Sequence, residues 1–262
     1  MNKTRVLSAF LLLAFFSQFS LAALAALFRL TEKQEITVGA QAASQVEKSQ
    51  PILNDSVVTQ YVTTVGNKLV ANSTRSNIPY RFRVVNSKDV NAFALPGGFI
   101  YVNRGLIEAA STENEFIGVL AHEVGHVTGK HGVEQVEKAQ KANLALGISK
   151  IFLQRTRGGS ALFNGAQLVT QGAFLKFSRD HEREADRLGA EMMHKAGWNP
   201  QGMVSFFDKL AQKGDSRSVA IFSTHPAPAE RRNNIADLTA SWGKTGTVDS
   251  TEFQKIKARL KG

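Results

Sequence analysis

Two histidines four residues apart, with a glutamate directly after the first, form the strongest chemical pattern in the sequence: His122, Glu123 and His126. On an α-helix, residues four apart lie on one face, so both imidazoles can hold one metal ion. Glu123 is rotated from His122 by roughly 100°. In that position it can take a proton from a metal-bound water and pass it to a leaving amine. Two neutral nitrogen ligands suit zinc, so the pattern predicts a catalytic zinc site.

The flanking residues predict that this pattern lies on a part-buried helix. Thr112 and Glu115 form a capping box, and apolar residues then recur at helical spacing to about Gly129. A chance occurrence of the pattern on a surface helix is the alternative. Burial counts against that alternative, because buried histidines without partners are unfavourable.

A catalytic zinc usually takes three protein ligands and leaves one position for water. His131 is a poor third ligand, because a continued helix would turn it about 180° away from His122. Glu182, Glu184 and Asp186 lie on a later predicted helix, where Glu182 and Asp186 share a face and Glu184 points elsewhere. Glu182 can complete the zinc ligands, and Asp186 can accept the free ring N–H of a zinc histidine.

The same spacing also describes a solvated helix face on which Arg179, Arg183 and Arg187 pair with the acids. Spacing alone leaves both interpretations open. We predict that His181 and His194 lie on the surface of this helix.

The elements before the metal helix predict a small sheet. Residues 80–85 alternate like a strand, and residues 91–95 and 99–103 form two strands joined by the turn Pro96-Gly97-Gly98. Helical patterns dominate the remainder, so we predict an α+β, mainly helical fold. Residues 151–177, apolar but broken by glycines, are interpreted as a helix and a mobile loop near the site.

The amino terminus has the pattern of an export signal. Lys3 and Arg5 precede an uncharged apolar run over residues 6–28, and Ala23-Leu24-Ala25 offers a cleavage site. The run is close to bilayer length, so an uncleaved anchor is the alternative. Either way the rest of the chain lies outside the cytoplasm, in the periplasm or an equivalent exported location. We divide the chain into this leader (1–25), a catalytic domain (26–242) and a polar, peripheral tail (243–262).

Composition limits the other classes of function. The 262 residues include no cysteine, so neither a disulfide nor a cysteine-ligated metal is present, and the formal net charge is +10. The basic residues are spread along the chain without aromatic interleaving, so we expect no nucleic-acid partner.

Four ordered motifs resemble the zinc metallopeptidase family of the CAAX prenyl proteases and HtpX, in the layout of the periplasmic BepA and LoiP-type proteases. The motifs are Asn91-Ala92-Phe93-Ala94-Leu95-Pro96-Gly97-Gly98, His122-Glu123-x-x-His126, Glu182-x-x-x-Asp186 and Thr224-His225-Pro226. The resemblance implies a single zincin-type (gluzincin) domain with a three-stranded sheet beside the metal helix. It covers about residues 35–240 of the sequence.

The resemblance also implies roles for individual residues. His122, His126 and Glu182 would hold one zinc ion, Glu123 would be the catalytic carboxylate, and Asp186 would support a ligand histidine. His225 would lie near the metal, either helping to stabilise the oxyanion or closing the site as an extra ligand. Arg231 is a further candidate for contact with the oxyanion or with a metal ligand.

These features predict an exported zinc endopeptidase that acts on unfolded or misassembled envelope proteins. We expect at most one membrane-spanning segment and none of the carboxy-terminal helical repeats of the BepA type. The strand residues Asn91, Ala92, Phe93 and Ala94 would pair with the backbone of an extended substrate, although an ordinary hairpin would show the same pattern. The rival interpretations are a normally closed, chaperone-like binding module, a structural protein with an accidental motif, and a membrane-resident processing enzyme.

Overall fold

A computed structural model describes residues 29–153, 176–213, 221, 223, 225, 228–242 and 246–261. The chain divides into one unit of residues 1–31 and 137–163 and a second of residues 32–136 and 164–262. In the first unit, the backbone N–H of Leu30 donates to Glu137 Oε1 at 2.9 Å. The predicted leader, and residues 154–175 of the predicted loop, lie outside the described residues. No helix within those described ranges is both long enough and apolar enough to cross a membrane.

The second unit carries all the predicted site residues. In chain order the described elements are α1 (Glu32–Ser49), α2 (Ser56–Val70), β1 (Arg81–Val85), β2 (Ala92–Leu95), a 3-10 turn (Pro96–Gly98), β3 (Phe99–Asn103), α3 (Arg104–Ala109), α4 (Glu113–Thr128), α5 (His131–Leu153, which continues into the first unit), α6 (Arg179–Lys195), α7 (Gln201–Lys213), α8 (Pro228–Thr239) and α9 (Thr251–Lys261). The predicted mainly helical fold with a three-stranded sheet is therefore confirmed.

The sheet has the order β1-β3-β2, with the central strand β3 parallel to β1 and antiparallel to β2. Successive side chains of a strand point to opposite faces. Phe99 and Tyr101 accordingly pack with the small residues of α1, whereas Ile100 and Val102 join the main core with α2 and α4. Because both faces are covered, β3 is buried along its whole length.

The two edges of the sheet differ. Residues 51–53 cover the edge of β1, where Leu53 N–H donates to the Val84 carbonyl at 2.8 Å. Strand β2 is the other edge and packs against α4. No described strand pairs with its outer side. Among the described strands β2 is therefore the unpaired edge of the sheet, with Ala92 and Ala94 buried, and it lies beside the helix that carries His122 and His126.

Capping fixes where α4 and α6 begin. Thr112 Oγ1 accepts the Glu115 N–H at 3.3 Å, and the Glu115 carboxylate accepts the Ser111 N–H at 2.7 Å. At the start of α6, Ser178 Oγ accepts the His181 N–H at 3.2 Å. These caps satisfy backbone donors that a helix leaves unpaired at its first turn.

The carboxy-terminal segment corrects the expected peripheral tail. Residues Phe253, Ile256 and Leu260 of α9 are buried in the main core. The segment also contacts the start of α4, where Asp249 Oδ1 accepts the Glu113 N–H at 2.9 Å. Three apolar residues on one helix face, separated by charged residues, are enough to bury a helix whose average composition is polar.

Candidate metal centre

Four buried side chains converge at one point: His122, His126, Glu182 and His225. Each can offer one ligand atom, and these atoms all lie within 4.8 Å of one another. No residue of the group is more than 2% exposed. They come from α4, α6 and the segment before α8, so the fold assembles the group from three separate parts of the chain.

Close contact between α4 and α6 brings Glu182 to the two α4 histidines. A Cβ placed on Gly125 would lie 2.5 Å from the Ala185 carbonyl oxygen, and one on Gly189 would lie 3.0 Å from the Ala121 carbonyl oxygen. Real Cβ atoms essentially never approach backbone to 2.5 Å, and a distance of 3.0 Å is tighter than most of their contacts. The two glycines therefore set the distance between the helices, and with it the distance between the carboxylate and the imidazoles.

His122 is held from behind by a carboxylate. Its Nδ1–H donates to Asp186 Oδ1 at 2.8 Å, which directs its Nε2 toward the centre of the group. That Nε2 is 2.9 Å from the Nε2 of His126 and 3.4 Å from Glu182 Oε2. This is the arrangement in which a carboxylate fixes the tautomer of a metal-ligand histidine.

Arg231 holds Asp186 in turn. Its Nε donates to Asp186 Oδ2 and its Nη2 to Oδ1, both at 2.7 Å, which makes a bidentate pair. Its Nη1 lies 3.0 Å from Glu182 Oε2, and the whole side chain is buried. Of the two roles predicted for Arg231, its contacts favour support of Asp186 and Glu182.

His126 has a different set of neighbours. Its Nδ1 is 2.9 Å from the Nδ1 of His131, and its ring stacks on Phe177 with the centroids 3.9 Å apart. His131 is fully buried and its Nε2 is 3.4 Å from Glu184 Oε2. His131 lies outside the group of potential ligands, in agreement with its rejection as the third ligand.

The position of His131 nevertheless differs from the expectation that it faces away. Helix α4 ends at Thr128, and Lys130 adopts a left-handed φ of 58°, so the chain turns before His131 begins the next helix.

The predicted surface position of His181 was also wrong. Its side chain is only 12% exposed and its ring stacks on His131 with centroids 4.5 Å apart.

Glu123 lies beside the group with its carboxylate buried. Neither of its oxygens accepts a hydrogen bond from the described residues. His225 Nε2 is 3.4 Å from Glu123 Oε1. A buried carboxylate without donors is costly, so its presence beside the group points to a ligand or reactant that it would contact.

His225 is the fourth buried member of the group. Its Nδ1 is 3.1 Å from both Glu182 Oε1 and His122 Nε2. Thr224 and Pro226, the other residues of the predicted motif, lie outside the described residues. The histidine is thus within reach of an ion that the group could hold and of the Glu123 carboxylate.

The electrostatics of the group favour a cation at its centre. Burial and Arg231 act to lower the pKa of His122, but Glu182 and Asp186 outweigh them and raise it to about 9. Burial, followed by the charge of His122, holds the pKa of His126 well below its usual value. Burial acts to raise the pKa of Glu182, but the surrounding histidines lower it strongly. Imidazole nitrogens and a carboxylate held ionised are a donor set that suits a divalent metal such as zinc.

The predicted substrate-binding strand lies beside the metal centre. Strand β2 contains Ala92, Phe93 and Ala94 but begins after Asn91, whose carbonyl accepts the Asn103 N–H at 3.0 Å. Ala94 and the following Leu95 and Pro96 line the same small cavity as His126 and Phe177. The edge strand β2 therefore lies close to the metal centre.

Comparison with known proteins agrees with this geometry. The model of peptidase family M48 matches residues 56–239. The beta-barrel assembly-enhancing protease of Yersinia pestis is 32% identical over 240 residues, covering 89% of this chain and 49% of that protein. Metalloprotease LoiP of Escherichia coli (strain K12) is 31% identical over 220 residues, covering 82% of this chain and 84% of LoiP. The chain thus spans about half the length of the beta-barrel assembly-enhancing proteases that it matches.

Proposed function

We propose a function for this chain on the premise that it belongs to peptidase family M48, as the match over residues 56–239 shows. The chain is a metalloendopeptidase that hydrolyses peptide bonds of protein substrates. The observation that carries this proposal is the buried convergence of His122, His126 and Glu182 beside the Glu123 carboxylate, which accepts no hydrogen bond from the described residues.

The metal would be one zinc ion held by His122, His126 and Glu182. When bound, zinc supplies a Lewis acid that makes water more acidic and polarises the peptide carbonyl. Glu123 accepts the proton of the attacking water at its carboxylate and delivers it to the leaving amine nitrogen. Asp186 keeps the His122 ring in the tautomer whose Nε2 is free, and Arg231 keeps Asp186 in place.

His225 has two roles compatible with its position. With its Nε2 3.4 Å from Glu123 Oε1, it can donate to the oxygen that develops negative charge during attack. Alternatively, its Nδ1, 3.1 Å from His122 Nε2, can occupy a ligand position and close the site. The second role supports the candidate function of a closed, chaperone-like binding module. His225→Ala separates the roles, because it lowers peptidase activity in the first case and raises it in the second.

Substrates would bind as an added strand on the edge of β2 that no described strand pairs with. Main-chain hydrogen bonds then provide affinity without reading side chains, which favours unfolded or misassembled proteins over folded ones. The basic and apolar leader supports export, and two of the similar proteins are named for enhancing β-barrel assembly. We therefore assign the substrates to misassembled proteins of the cell envelope, and the enzyme to the periplasm or the membrane surface that faces it.

Casein digestion tests the assignment with one pair of variants. Glu123→Gln should bind zinc at the wild-type stoichiometry while its activity falls by about 10²- to 10⁴-fold. Glu252→Gln, the same change at an exposed and remote glutamate, should leave activity unchanged. Chelation should abolish wild-type cleavage and added zinc should restore it. Wild-type protein that binds far less than one zinc per chain, or cleavage that survives chelation, would contradict the proposal.

A further inference from the structure

The Nδ1 of His126 contacts another histidine, His131, whereas the Nδ1 of His122 contacts the carboxylate of Asp186. The contact between His126 Nδ1 and His131 Nδ1 is 2.9 Å long and fully buried. In a contact between two ring nitrogens, one must carry the proton and the other must accept it. Which one donates follows from the other bonds that the two rings make.

The direction of the bond follows from the proposed function, on which this inference rests. To offer the Nε2 lone pair to an ion, His126 must carry its ring proton on Nδ1. His131 Nδ1 must then be the acceptor, which places the proton of the neutral His131 ring on Nε2. His131 Nε2 is 3.4 Å from Glu184 Oε2, a carboxylate that accepts such a proton. All ring nitrogens of the pair are satisfied by this one arrangement.

The surroundings keep the His131 ring in this position. His181 stacks on its face at 4.5 Å with 13° between the rings. On another side, a Cβ at Gly129 would lie 2.5 Å from His131 Nε2 and 2.8 Å from Cε1. Only glycine at position 129 leaves room for the ring. Because the φ of Gly129 is −75°, the steric contact rather than the backbone conformation is what excludes a side chain there.

We infer that His131 is a positioning residue for the metal centre. The Nδ1 of His131 fixes the tautomer and the orientation of His126. Glu184 in turn fixes the tautomer of His131. His131 and Glu184 together hold the His126 ring in one tautomer, as Asp186 holds the His122 ring. Glu184 is half exposed, so water can replace it and its own contribution is small.

Two isosteric variants separate this role from packing. The side-chain oxygen of Asn takes the place of Nδ1, whereas that of Gln takes the place of Nε2. In a competition assay against a chromophoric chelator, His131→Asn should hold zinc within about threefold of wild type. His131→Gln and His131→Phe should weaken zinc binding by about 10- to 100-fold. Gly129→Ala, which displaces the ring, should weaken it similarly, and His194→Phe, at an exposed histidine, should not change it.

The zinc-loaded wild-type protein gives a test that needs no variant. Long-range ¹H–¹⁵N NMR should show His131 with its proton on Nε2 and His126 with its proton on Nδ1. A proton on His131 Nδ1, or equal zinc affinity for the Asn, Gln and Phe variants, would overturn the inference while leaving the zinc peptidase intact. A wild-type protein that binds no zinc would overturn the proposed function itself, and this inference with it.

Discussion

Gly125 lies directly against the backbone of Ala185, so that an added Cβ would come within 2.5 Å of the Ala185 carbonyl oxygen. This contact joins the helix of His122 and His126 to the helix of Glu182 and Asp186. The distance between the two helices thus decides whether the carboxylate and the imidazoles can share one ion.

Gly125→Val should separate the two helices and disrupt the metal centre. The added methyl groups have no space between α4 and α6, and overpacking of this kind costs about 1–3 kcal/mol. Zinc content measured by mass spectrometry should fall well below one ion per chain, while far-UV circular dichroism still shows a helical protein. A Gly125→Val variant with full zinc content and an unchanged melting temperature would contradict the role of this contact.

Asp186→Asn should weaken zinc binding by about 10- to 100-fold, because the amide no longer fixes the His122 tautomer as a carboxylate does. It should also lower the free energy of unfolding of the metal-free protein, since buried Arg231 loses its charged bidentate partner. Breaking a buried ion pair in this way costs about 3–5 kcal/mol.

The double variant Asp186→Asn/Arg231→Met separates these two effects. It removes the buried guanidinium that has lost its Asp186 partner, so urea unfolding should show that part of the lost stability returns. Zinc affinity should stay low, because the partner of His122 is still missing. Recovery of both properties together would show that Asp186 acts only through stability.

Blocking peptide N–H groups of a substrate should reveal pairing with β2. The Asn103 N–H donates to the Asn91 carbonyl at 3.0 Å, and pairing alternates along an antiparallel ladder. The N–H and C=O groups of Ala92 and Ala94 therefore point away from β3, where no described strand pairs with them, and these are the groups that an added substrate strand would bind.

A series of model peptides, each N-methylated at one residue near the cleavage site, tests this. Cleavage efficiency should fall by about five- to tenfold at every second residue, from the loss of one hydrogen bond, and change little at the residues between. The peptide without methylation is the control. A flat profile along the peptide would exclude binding by strand addition.

Phe253→Ala should destabilise the protein by about 3–5 kcal/mol, because its ring is fully buried against Tyr61 and Phe116 in the main core. Chemical denaturation measures the change. Lys255→Ala, at an exposed position of the same helix, should change stability by less than about 0.5 kcal/mol. Similar stability for the two variants would restore the original expectation of a peripheral tail.

Short-range spacing in the amino-acid sequence is enough to predict several parts of the protein. His122 and His126 lie four residues apart on a capped helix, so helix geometry alone places both on one face. Strands β2 and β3 flank a Pro-Gly-Gly turn, so the turn alone predicts that they pair. The sequence also offered Glu182 and Asp186 as one face of a helix. Their spacing is equally that of a solvated charged surface, so only their resemblance to a known family favoured the metal centre.

Which distant segments contact one another becomes visible only in the folded chain. The roles of Gly125 and Gly189 become clear only when α4 and α6 are seen in contact. Each glycine matters because of the backbone packed against it, and the sequence does not show that contact. His131 was expected to face away, since the prediction continued a helix that in fact ends at Thr128 and turns through Lys130. Burial of α9 depends on a core assembled by residues far away in the chain, which the local polarity of residues 251–261 does not reveal.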